Sequence, residues 1–153
     1  MTDREYLNDG IRRVQAGDVK GSHAAGVFGR CAADFETAIR AWFTVLLAEC
    51  DLGYDKELRA HCKDVELHKA TLGNLIAGIR RVGELKKGAL ETRVGSSDVT
   101  TLLHTLESVN REWIRVKHKG EELSDLLVLA QMKSMARVLD SLSIEPRRRD
   151  SIR

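Results

Sequence analysis

The chain has 153 residues, 42% hydrophobic and 31% charged, with a formal net charge of +2. That length suits one domain with a real core. The tail holds the whole excess of charge, since Arg147, Arg148, Arg149 and Arg153 there outnumber Glu145 and Asp150. The body is therefore formally neutral, which excludes a protein that coats nucleic acid by bulk electrostatics.

In chain order, a short helix is predicted over about 4–15, weakened by Gly10. The stretch "AGDVKGSHAAGVFG" then reads as a four-glycine loop grading into the next helix. From about 24 to 51, Phe28, Cys31, Ala32, Phe35, Ile39, Trp42, Phe43, Leu46, Leu47 and Cys50 recur every three to four residues, and "DLGYD" stops the pattern. A weaker helix over 55–69 carries Leu58, Cys62 and Val65 on one face.

Thr71 can cap a helix with Leu72, Leu75, Ile76, Ile79 and Val82 on its apolar face. Between Arg80 and Arg93 five cations face only Glu84 and Glu91, a local basic patch. "ETRVGSSD" is a second loop, and Asp98 is placed to cap a long helix running to about 117. After "KHKG", Leu123, Leu126, Leu127, Ala130, Ser134 and Val138 mark a last helix ending near 143.

No strand alternation and no repeat is visible, and the single proline, Pro146, lies beyond all of these segments. The expectation is an all-α helical bundle of five to six helices. It divides into an N-terminal helix and loop over 1–22, a single bundle domain over 23–143 and a flexible basic tail over 144–153. Cys31, Cys50 and Cys62 are odd in number and form no CxxC, so they read as reduced core residues of an intracellular protein. No apolar run approaches a membrane span, and "MTDREYLNDGIRR" has no apolar leader core, so a cytoplasmic location is the default expectation.

The chemistry concentrates in "SVNREWIRVKHKG", 108–120. On a helical wheel Leu102, Leu106, Val109, Trp113 and Val116 form the core seam, while Arg111, Arg115 and His118 fall on the opposite side with His104 and Glu107. RNA carries its own nucleophile, the 2′-hydroxyl. Cleavage without a metal needs a group to take that proton and cations to stabilise the phosphorane. Histidine suits the first task and arginine the second. One pair is sparse for both, and a symmetric dimer would double it.

This segment resembles the HEPN-domain ribonucleases, small helical bundles marked by an arginine, four to six intervening residues and a histidine near a helix junction. Here Arg111, "EWIRVK" and His118 supply the pattern, preceded by "FETAIRAWFTVLLAE" and "ATLGNLIAGIRR" in the family's order. The resemblance spans about 28–142. It implies metal-independent RNA cleavage at a homodimer interface, with a cyclic phosphate product and no cofactor, of a kind used in toxin and defence systems. By that resemblance Arg111 and His118 would be the catalytic pair; Arg115, Lys117 and Lys119 of the same stretch are the candidates for RNA-phosphate contact. Many members carry asparagine just after the arginine; here Asn110 precedes it and Glu112 follows. The alternative is a non-catalytic interaction or dimerisation module, a regulator or adaptor with a protein partner, that keeps the fold alone.

Three further patterns carry less. His61, Asp64 and His68 share a helix face, with Glu57 nearest as a fourth ligand, an incomplete metal set. "TLGNLIAG" lacks the lysine and hydroxyl of a phosphate loop, and "EPRRR" reads as a solvated tail. No nucleophilic triad can be specified from the spacing.

Overall fold

The first helix, α1 (Asp3–Gln15), buries Leu7, Gly10 and Val14 at spacings of three and four, the period of one helical face. The helix runs straight through Gly10. A Cβ there would come within 2.6 Å of Met132 Cε and 3.1 Å of Val27 Cγ1, so the missing side chain lets neighbouring helices approach closely. Gly17 ends α1 with φ +77, while Asp18 N donates to Arg13 O and Gly17 N to Val14 O. These two bonds close a Schellman cap around a left-handed glycine. The computed structural model describes residues 3–19, 22–50, 52, 54–60, 71–94, 99–120 and 122–142.

The second helix, α2 (Ser22–Cys50), begins earlier than its glycines suggest. Gly26 and Gly29 lie inside it, with no neighbour within 4 Å of the space a Cβ would fill. Ala24, Ala25, Phe28, Cys31 and Ala32 extend the buried stripe back through this stretch. Burial of that face outweighs the cost of glycine, about 1 kcal/mol per residue. Continuing the stripe, Phe35, Ile39, Phe43 and Leu46 are almost wholly buried, and α2 contacts α1 and three of the later helices.

Asp55 starts α3, described over 56–60, its Oδ2 accepting from Leu58 N at 2.8 Å; the rest of the helix expected over 55–69 lies outside the described residues. α4 (Leu72–Leu85) opens with a reciprocal capping box. Asn74 N donates to Thr71 Oγ1 at 3.2 Å, and Thr71 N donates to Asn74 Oδ1 at 3.1 Å. Past it, Leu90 and Val94 fold into the core, with Gly88 turning the chain at φ +86.

α5 (Val99–Lys119) stops at Gly120, whose φ of +63 is the left-handed conformation that terminates helices. Ser124 caps α6 (Asp125–Ser141), accepting from Leu127 N at 3.2 Å. Its core face is Val128, Met132, Met135 and Leu139, so the stripe is turned from the one expected on periodicity. Leu126, assigned to that stripe, is 81% exposed, and Ala130 is exposed as well.

The protein is thus an all-α bundle, with no strand among the described residues. α2 runs through the middle and packs on α1, α4, α5 and α6; α1 closes against α2 and α6, and α5 against α4 and α6. No helix among the described residues is long and apolar enough to cross a membrane. The expected cap Asp98, the His61–Asp64–His68 set, Cys62 and the tail over 144–153 lie outside the described residues.

Candidate functional site

α5 is held on three sides. Leu102, Leu106 and Val109 bury toward the core, Glu107 pairs with Arg80 of α4, and Ser108 accepts from Gln131 Nε2 of α6 at 2.8 Å. Glu107, expected on the outward stripe, is 44% exposed there and reaches across to pair with Arg80 of α4. What remains facing outward is His104, Arg111, Ile114, Arg115 and His118.

Arg111 and His118 share that face. They are seven positions apart, a rotation of roughly 20° and a rise of about 10 Å along the axis. Arg115 lies between them, and Lys119 follows in the last turn, exposed beside His118. The stretch ends with Lys117, His118 and Lys119, where cations meet the negative end of the helix dipole. Lys117 stands apart, roughly 120° around the helix from Arg111. Its ammonium sits 5.2 Å from the Trp113 ring centroid. It also lies close enough to Glu36 of α2 to favour that residue's charged form. The structure therefore brings Arg111, Arg115, His118 and Lys119 to one side and turns Lys117 toward α2.

Beneath the stripe lies a residue that sequence reasoning treated only as a departure from a motif. Glu112 is 5% exposed. Its Oε2 accepts from Arg115 Nη1 at 2.7 Å and its Oε1 from Arg111 Nε at 3.3 Å. Position 112 continues the seam through Thr105 and Val109 at spacings of four and three, a signal present in the sequence. A carboxylate so placed needs cationic partners, and both outward arginines supply them. Arg111 also donates through Nη2 to Ser108 Oγ at 3.4 Å, and its side chain remains 64% exposed. Neither Ser108 nor the buried Gln131 carries a motif that marks this contact in the sequence.

The basic patch between Arg80 and Arg93 is largely neutralised by tertiary pairing. Arg80 meets Glu107, Arg93 meets Glu49, and Arg81 reaches Asp55, Glu57 and Glu84. Lys86 Nζ donates to the Cys50 carbonyl at 3.4 Å, at the end of α2. The side-on hydrogen bonds from Arg81 hold the Asp55 carboxyl down to about 2. In the C-terminal half of α5, by contrast, Arg111, His118 and Lys119 are exposed.

Other chemistry is sparse. Among the described residues no three His, Cys, Asp or Glu side chains gather as a metal site. Cys31 and Cys50 are buried free thiols. Burial, reinforced by the charge of Asp34, pushes the Cys31 thiol up to about 12, so it stays protonated. A shallow, mainly apolar indentation lined by Leu7, Cys31, Asp34, Phe35 and Leu139 includes no α5 residue. What α5 can do chemically is bind an anion through guanidinium groups and exchange a proton at an imidazole. Comparison with family models, with curated proteins and with solved structures finds no match to this chain.

Proposed function

We propose that the protein is a HEPN-like, metal-independent endoribonuclease whose site is completed by a second copy of the chain. The observation that supports this reading most is the shared outward face of Arg111 and His118, two turns apart on α5. His118 accepts the 2′-hydroxyl proton as the 2′-oxygen bonds to phosphorus. Arg111 stabilises the charge of the five-coordinate phosphorane. The P–O5′ bond then breaks, and the equivalent histidine of the second copy, in its protonated form, supplies the proton to the leaving oxygen. The products are a 2′,3′-cyclic phosphate and a 5′-hydroxyl.

Cleavage of RNA by wild type, Arg111→Ala and His118→Ala in the presence of chelator tests the assignment. Both variants are expected to lose at least a hundredfold in rate, consistent with removal of a general acid–base or a charge-stabilising group. Unchanged cleavage in both would remove these residues from the mechanism. Absence of cleavage by wild type would favour the second reading, a non-catalytic helical module that binds a protein partner or itself. That reading draws on the engagement of Arg111 with Glu112 and on Ile114, 41% exposed between the two polar groups.

A further inference from the structure

The Arg111 guanidinium is held along one edge. Nε donates to Glu112 Oε1 and Nη2 to Ser108 Oγ. These two nitrogens form the side-on edge of the group, the same edge that Arg81 lays against Asp55. A guanidinium has five N–H donors, so three remain: both on Nη1 and the second on Nη2. The second Nη2 hydrogen and one of the Nη1 hydrogens make up the end-on edge, and the other Nη1 hydrogen points to the opposite side.

Ser108 is itself anchored from another helix. Gln131 lies on the core face of α6, beside Val128, Met132 and Met135 in the helical pattern. A buried amide in an apolar face is costly unless its groups are engaged. Its Nε2 donates to Ser108 Oγ at 2.8 Å, across the α5–α6 contact, while its Oε1 is buried with no hydrogen-bond partner among the described residues. A chain of hydrogen bonds therefore runs from the bundle interior through Ser108 to the exposed end of Arg111. Glu112 closes the other side of the same edge.

We propose that Gln131, acting through Ser108, and Glu112 are positioning residues that clamp the side-on edge of Arg111 and present its end-on edge to an RNA phosphodiester. The substrate assignment rests on the reading of Arg111 and His118 as a cleavage pair; the clamp itself does not. A long flexible side chain on a helix surface samples many rotamers, and a near-attack arrangement requires few of them. The clamp supplies that restriction before the ligand arrives.

The test uses the full chain with Gln131→Met, a change of similar volume, and Ser108→Ala at a partly buried position should the first variant fold poorly. Two readouts are taken: ¹⁵N relaxation of the Arg111 Nε–Hε pair, free and with a non-cleavable 2′-deoxy oligonucleotide, and RNA cleavage kinetics. The expected result is a rigid Arg111 side chain in wild type and a mobile one in either variant. In cleavage, kcat falls about tenfold with KM within twofold, and Arg111→Ala loses no further activity when Gln131→Met is added, as expected for groups acting as a unit. Unchanged Nε–Hε relaxation in both variants would overturn the clamp, as would losses that add fully with Arg111→Ala. Should wild type cleave no RNA, the cleavage reading fails alone, and the relaxation measurement decides the clamp by itself.

Discussion

Arg115 Nη1 donates to Glu112 Oε2 at 2.7 Å, joining a partly exposed cation to a carboxylate inside the bundle. The contact spans one turn of α5, and it explains why an acid can occupy a core position at all. The two partners are unequal, because only one of them is withdrawn from water.

Removing them should therefore have unequal effects. Arg115→Met leaves the carboxylate buried with only the longer Arg111 contact and should cost about 2–3 kcal/mol. Glu112→Met replaces the acid with an apolar side chain of similar length and should change stability by less than about 1 kcal/mol. Urea denaturation of both single variants and the double variant checks the asymmetry, with the double variant expected close to Glu112→Met.

The contact between Asp55, at the start of α3, and Arg81 of α4 should set part of the acid sensitivity. Asp55 titrates at about 2 in the folded chain because Arg81 and the Leu58 N–H hold its charged form. Its ordinary value is near 4, so the unfolded chain binds the proton first as pH falls. The contribution is complete above about pH 4 and fades as pH approaches 2. In Arg81→Met the part of the acid-unfolding slope in that window should shrink, as read by thermal melts at successive pH values.

Glu36 of α2 should act with the opposite sign. Burial raises its carboxyl above the ordinary range, although Leu72 N–H and Arg40 both favour the charged form. The folded chain therefore binds this proton more tightly, and the group's contribution is lost as pH rises through the raised value. Glu36→Gln should flatten stability over the weakly acidic range, where the wild type is expected to weaken with rising pH.

The glycines divide into two groups with opposite predictions. Gly26→Ala and Gly29→Ala enter open space on an established helix and should each stabilise by about 0.4–1 kcal/mol. Gly120→Ala must hold a left-handed conformation and should destabilise by about 1 kcal/mol. Calorimetric melting temperatures distinguish the two signs directly.

Ile114 offers a test of self-association. It lies on the outward stripe between Arg111 and His118, and its replacement should barely alter the stability of the monomer. Ile114→Glu should leave monomer stability within about 0.5 kcal/mol and shift the sedimentation profile from dimer to monomer. A dimer of unchanged strength would place the interface elsewhere.

Much of the architecture was legible in local pattern. The three-to-four spacing from Phe28 to Cys50 marks α2, and Thr71 marks the start of α4. The outward placement of Arg111 and His118 also follows from the wheel, since Val109 and its neighbours fix the inner side. These features are set within a turn or two of chain, where sequence spacing and helical geometry coincide.

Tertiary packing decided the rest. Gly26 and Gly29 fall where the expected loop grades into the helix from about 24, and burial of Ala24, Ala25 and Phe28 carries α2 back to Ser22. Leu126 fits an apolar period but faces solvent, because the neighbours of α6 cover a stripe rotated from it. The excess of cations near Arg80 is matched by acids brought from α2, α3 and α5. Glu112 shows the same limit at the candidate site: its charge suggests a surface residue, whereas its position on the seam puts it inside. The sequence by itself determined where α1, α2, α4, α5 and α6 lie and which face of α5 looks outward. Only the assembled bundle decided how its arginines are held, because Glu112 and Gln131 become buried partners only when other helices exclude water from around them.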